Sequence, residues 1–94
     1  MIKTIWKYEL KITDSQWIAV PDKAKPLYVA MQGNNLCVWM LVDPTQSDVD
    51  MYVRIVGTGH SISDKEINSL YYLGSVQERM FVWHLFYEFH YERK

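Results

Sequence analysis

Hydrophobic and polar residues alternate through the first dozen positions. Ile2, Thr4, Trp6, Tyr8, Leu10 and Ile12 fall on one side of an extended chain and Lys3, Lys7, Glu9 and Lys11 on the other, with Ile5 breaking the pattern. A period of two over this length predicts a half-buried strand. Asp14-Ser15 reads as a turn and "QWIAV" as a short second strand, so the two are expected to pair as a hairpin. "PDKAKP" is a connection bounded by prolines, "LYVAMQ" a third strand, and Gly33-Asn34-Asn35 its turn. "LCVWMLV" is apolar on both faces and too short for a convincing helix, which predicts a central strand. The loop "DPTQSD" leads to the strand "VDMYVRIVG" and then to "GTGHSIS". Ser63 followed by Glu66 is a capping-box pattern for one or two helical turns, "YYLGSV" a short strand, and "RMFVWHLFYEFHYE" the last and longest strand.

In that last strand Phe81, Trp83, Leu85, Tyr87, Phe89 and Tyr91 share one face, expected to be core. Met80, Val82, His84, Phe86, Glu88 and His90 share the other, which begins apolar and becomes polar. A strand apolar on both faces is covered on both, and with little helix available the second cover is expected to be another subunit: a two-fold dimer or a tetramer. A helix over residues 79–92 is possible on length alone, but Phe, Tyr, Trp and Val at this density argue for a strand. The resulting fold class is mainly β: a compact antiparallel β domain of about six or seven strands with one short helix, homo-oligomeric, with residues 1–94 as a single domain.

Composition fits this picture and narrows the function. A 49% hydrophobic chain can bury a core, and 94 residues leave no room for a second one. The aromatic share of 15% is large enough that some rings are expected at an interface or a ligand surface. A net charge of −1 without a basic stripe argues against duplex nucleic acid. Cys37 is the single cysteine, so no disulfide or Cys-based zinc site forms within the chain, and a buried thiol in a reducing compartment is expected. Neither a signal peptide nor a membrane-length apolar run is visible, which predicts a cytoplasmic protein with no membrane partner.

The candidate chemistry centres on Gly57, Thr58, Gly59 and His60. Glycines let backbone N–H groups converge on an anion, hydroxyls of Thr58, Ser61 and Ser63 add donors, and Arg54 on the same strand supplies a planar fork for phosphate. The segment matches neither the P-loop nor the dinucleotide-binding fingerprint, and it also reads as a glycine-rich exit turn from a strand. Trp6, Tyr8, Trp17, Trp39 and Trp83 could stack on bases or pack in the core, and Trp17, just after a turn, is expected at an edge. His84 and His90 share a strand face but lie about 20 Å apart, too far to share a metal. The aspartates sit at turns without the paired spacing of acid–base catalysis, so no catalytic residue, metal or cofactor is assigned and a binding module is preferred to an enzyme.

The segments "IWKYELKITDSQWIAVP", "CVWMLVDP" and "RIVGTGHSI" resemble, in order and separation, a family of small phage and prophage proteins described as a domain of unknown function. The resemblance covers roughly residues 4–87 and departs at the tail "EFHYERK". What it implies, by analogy with anti-defence sponges, is a protein of the infected bacterial cytoplasm. Such a protein sequesters a cyclic nucleotide immune signal, such as a cyclic dinucleotide, at a subunit interface without cleaving it. The ligand-binding residues are then Gly57–His60 as the loop, Arg54 and Lys7 on phosphates, and Trp6, Tyr8 or Trp17 as stacking rings. The competing readings are a module that inhibits a host protein through the last strand, and a phosphodiesterase-like enzyme acting on the same signals.

Overall fold

The computed structural model describes residues 2–90. Its strands are β1 (Thr4–Leu10), β2 (Ser15–Pro21), β3 (Lys25–Gln32), β4 (Asn35–Val42), β5 (Asp48–Gly57), β6 (Tyr71–Glu78) and β7 (Phe81–His90). One short helix, α1 (Asp64–Ile67), lies between β5 and β6. The strands form two antiparallel sheets, in the orders β1-β4-β3 and β2-β5-β7-β6. The mainly β class, the strand number and the single short helix agree with the alternation in the sequence. Tyr91, placed above on the core face, lies outside the described residues.

The inner faces of the two sheets share one core. Leu36, Val38, Met40 and Val42 of β4 belong to the same buried cluster as Met51, Val53 and Ile55 of β5 and Leu85 of β7. β4 is central in its sheet, and its outward-facing Cys37 is fully buried as well, which is why the segment reads as apolar at consecutive positions. The sandwich closes where β3 meets β6. A side chain at Gly74 of β6 would place its Cβ 2.5 Å from Val29 Cγ1 of β3.

The expected β1–β2 hairpin does not form. β1 pairs with β4 and β2 with β5, so the chain changes sheets at residues 11–14. Gln16 holds this corner: its amide oxygen accepts from Lys11 N (3.0 Å) and its Nε2 donates to Lys11 O (2.6 Å). Ile55 N donates to Asp14 O (3.0 Å), tying the corner to β5. Alternation assigns a strand its two faces but not its pairing partner, and two short strands joined by a polar turn satisfy either arrangement.

β5 and β6 both run antiparallel to β7, so they are parallel to each other and the connection between them carries α1. Ser63 caps this helix, its hydroxyl accepting from Glu66 N at 3.1 Å. The Glu66 carboxylate completes the motif differently from a capping box: it pairs with Arg54 on the outer face of β5. Part of the second cover that the apolar strands demanded is therefore the chain's own crossover.

After β4, Asp43 is only 7% exposed, and its Oδ1 accepts from Thr45 N (3.0 Å) and Thr45 Oγ1 (2.7 Å). The hydroxyl bond first, and the N–H bond second, hold its carboxyl below the ordinary carboxylate range. A depressed carboxyl stabilises the fold above its unfolded-state pKa, and that contribution disappears as pH falls through the folded value. Acid unfolding followed by circular dichroism is expected to show a smaller loss of stability between neutral pH and about pH 3 in Asp43→Asn than in the unmodified chain. At Gly74, alanine is expected to cost about 1–3 kcal/mol in urea denaturation through the clash with Val29. Combining it with Val29→Ala should cost less than the sum of the two single changes.

Candidate binding face

The strand registers place the outward side chains of the four-stranded sheet in rows. Trp17 of β2 lies opposite Tyr52 of β5, which lies opposite Glu88 of β7. Arg54 faces Phe86, and Phe86 faces Tyr72 of β6. Val56 faces His84, and His84 faces Ser75. Trp17 is 53% exposed and leans on Tyr52 (centroids 5.1 Å apart) and edge-on to His90 (4.7 Å). Its exposure agrees with its position after the turn. His90 in turn pairs with Glu88 at 2.9 Å.

The Gly57–His60 segment is a turn whose backbone is largely committed to the fold. Thr58 N donates to Val82 O (3.1 Å) and His60 N to Gly57 O (2.9 Å). Those two N–H groups are not free to form an anion nest. Gly59 bends the chain at φ 89°, where a side chain would be strained. Gly57 is glycine for space: a Cβ there would lie 3.0 Å from the His60 ring and 3.0 Å from Trp83. His60 thus lies against Gly57 and Trp83, while the Thr58 hydroxyl reaches the outer face and His84.

Arg54 is similarly engaged. Its Nε donates to Glu66 Oε2 (2.7 Å), and its Nη1 donates to Asp14 O (3.1 Å) and Ile55 O (2.9 Å). One side chain therefore ties the helix and the sheet-switching corner to β5, and a phosphate at Nε would displace Glu66.

The remaining predicted residues lie elsewhere. Lys7 points away from the core on the three-stranded sheet, and its amine donates to the Gln32 side chain across β4. Trp6 and Tyr8 point inward from β1; Trp6 is 41% exposed, and Tyr8 packs against the core. Burial, and secondarily the Asp48 carboxylate, push the Tyr8 phenol up. The structure thus brings Trp17, Arg54 and Thr58 to one face, leaves the His60 ring against Gly57 and Trp83, and puts Trp6, Lys7 and Tyr8 on the other sheet. Two open grooves, of 380 Å³ beside Tyr71 and Phe89 and of 340 Å³ beside Gly33 and Arg79, are lined by none of these residues.

What sequence reasoning missed is a polar chain on the outer face. Thr58 Oγ1 lies 2.8 Å from His84 Nε2, His84 Nδ1 lies 2.7 Å from Ser75 Oγ, and Ser75 Oγ lies 2.6 Å from the Tyr72 hydroxyl. Tyr72 and Ser75 are three apart, so a regular strand would place them on opposite faces. The register irregularity between Tyr72 and Gly74 puts them on the same face. No composition signal marks that bulge except Gly74 itself.

This combination defines a small two-sheet β protein with an open, aromatic and hydroxyl-rich outer face. The chain belongs to the family described as Domain of unknown function (DUF7352), which matches residues 1–93 and so extends past the span of the shared motifs. No curated protein and no solved structure matches it.

The Arg54–Glu66 pair is expected to show a coupling of about 1 kcal/mol in a double-mutant cycle of Arg54→Ala and Glu66→Ala, read by urea denaturation. Glu66→Ala alone should speed amide exchange in α1 while leaving β4 protected.

Proposed function

We propose that the protein is a non-catalytic binding module. In this reading it holds a cyclic nucleotide immune signal, such as a cyclic dinucleotide, between the outer faces of two copies of its four-stranded sheet. The observation that carries the reading is the exposed Trp17 ring beside Tyr52 and His90, on the same face as the Thr58–His84–Ser75–Tyr72 chain. A ring on an open sheet offers a base a stacking surface worth about 1–3 kcal/mol. Hydroxyls and imidazole offer donors to phosphate oxygens. Apart from Glu66 of α1 on Arg54, no described residue walls this face, so in this reading a second copy encloses the ligand and supplies the same groups by two-fold symmetry. Sequestration asks only for occupancy: a signal held by the protein cannot reach its host receptor, and no bond need break. A phage origin, implied by the motif resemblance, supplies the setting in which such a protein blunts host defence.

A second reading is favoured by a different surface. The outer face of the three-stranded sheet carries Ile5, 56% exposed, and Tyr28, 63% exposed and tilted against Trp39 at 5.8 Å. An apolar patch of that kind fits a protein partner, and a host protein bound there would be inhibited without any nucleotide.

The purified chain is to be screened by thermal shift against cyclic dinucleotides, cyclic trinucleotides and ADP-ribose derivatives, with the ligand recovered by heating and weighed by mass spectrometry. One class is expected to raise the melting temperature and to be recovered intact, with a stabilisation of about 2.7 kcal/mol at a hundredfold excess over Kd. Trp17→Ala should weaken that ligand about tenfold. A cleaved product would make the protein an enzyme, and no shift in any class would leave the protein-partner reading.

A further inference from the structure

A strand at the edge of a sheet exposes a row of unpaired N–H and C=O groups, and proteins blunt such edges with proline, bulges or a covering element. β3 carries Pro26 and a register irregularity, β6 carries the irregularity at Gly74, and these two edges meet at Val29. β2 ends in Pro21, which has no N–H to donate. The fourth edge, β1, has neither device: Thr4–Leu10 pairs with β4 in unbroken register. It is also the most open strand. Ile5 is 56% exposed, and Trp6, on the same face as the fully buried Met40, is 41% exposed. An inward-facing indole open to water on the last strand marks a sheet that stops short of covering its own core.

We propose that β1 is a dimerisation edge, pairing antiparallel with β1 of a second copy about a two-fold axis at Trp6. The contact joins two three-stranded sheets into one continuous sheet and leaves the outer face of each four-stranded sheet free. It is therefore independent of the ligand reading.

The pleat limits the registers. Paired residues must face the same side of the sheet, so the axis has to pass through a residue. An axis at Lys7 aligns the whole strand, but it sets two lysines opposite each other and Ile5 against a glutamate. An axis at Tyr8 sets Lys7 against Glu9, yet the Lys7 amine is drawn the other way, across β4 to Gln32. That register also puts Trp6 against Leu10, which is already buried, and runs into the corner where Gln16 holds Lys11.

An axis at Trp6 satisfies the strand on both faces. On the inner side the two indoles meet and cover each other, with Thr4 opposite Tyr8 of the second copy. On the outer side Ile5 lies along the Lys7 stem, whose amine is turned away. Lys3 then faces Glu9 of the second copy, and symmetry repeats that ion pair. Both side chains are exposed, and among the described residues neither forms an ion pair within its own copy. An edge of this length is a small interface, so the dimer is expected to dissociate in the micromolar range.

The full chain is followed by sedimentation equilibrium across that range. Glu9→Lys sets lysine against Lys3 and is expected to raise the dimer Kd about tenfold; adding Lys3→Glu should restore it. Register is read with single cysteines, the natural Cys37 being buried. A residue on the axis lies about 4.5–5.5 Å from its symmetry mate, Cα to Cα, within disulfide reach. Trp6→Cys is expected to give a disulfide-linked dimer under mild oxidation, and Lys7→Cys and Tyr8→Cys are not. In the unmodified chain, amide exchange in β1 should slow as concentration rises, a readout that no folding defect can mimic. A monomer at every concentration, a Kd indifferent to Glu9→Lys, or crosslinking through Lys7→Cys or Tyr8→Cys in place of Trp6→Cys overturns the proposal. So does a dimer whose β1 amides exchange as fast as the monomer's.

Discussion

The position of β7 between β5 and β6 decides which side chains meet on both sides of the larger sheet. Inward, its register sets Leu85 beside Ile55 and Gly74 and Trp83 beside Gly57, where the missing side chain admits the indole and the His60 ring. Outward, the same register sets His84 between Val56 and Ser75 and Phe86 between Arg54 and Tyr72. A slip of one residue would exchange the two sets, putting Leu85 in water and His84 in the core. The buried cluster therefore holds the outer face in place: the apolar inward residues pin the strand, and the polar outward groups inherit their neighbours.

That arrangement forces the chain between β5 and β6 to cross the sheet. Since both strands are antiparallel to β7, the link must return the length of β7, and it does so by way of the Gly57–His60 turn, a capped single turn of helix, and the Arg54–Glu66 pair. The glycine-rich turn is thus explained first by geometry. It ends a strand, bends the chain at Gly59, and makes room at Gly57. It forms no backbone cradle, because the Val82 and Gly57 carbonyls already hold two of its N–H groups, and its Thr58 hydroxyl turns to His84.

The two sheets also separate candidate residues that lie near one another in the sequence. In Trp6-Lys7-Tyr8 consecutive residues of a strand face opposite ways, and β1 sits in a different sheet from β2 and β5. Three of the residues named from the sequence share the large outer face, and three belong to the other sheet. Trp17, Arg54 and Thr58 share the outer face of the four-stranded sheet within one copy, where Glu66 of α1 sits on Arg54.

Local alternation was enough to read the strands, much of the inward face of β7, the central place of β4, the buried Cys37, the exposed Trp17 and the Ser63 cap, whereas Phe81, expected in the core, is 52% exposed. Each of these depends on burial or hydrogen bonding within a few residues, and a period of two records that burial directly. Pairing was not legible. The switch of sheets at residues 11–14 depends on β1 finding β4, more than twenty residues away, and a polar turn looks the same in a hairpin and in a corner. Nor was the polar chain legible. Thr58, Ser75 and His84 come from separate segments, and Tyr72 joins them only because a bulge shifts it to the shared face. The sequence by itself determined which positions prefer water and which prefer the core; only the tertiary structure decided which strands stand side by side, because register is set by the simultaneous packing of every inward face.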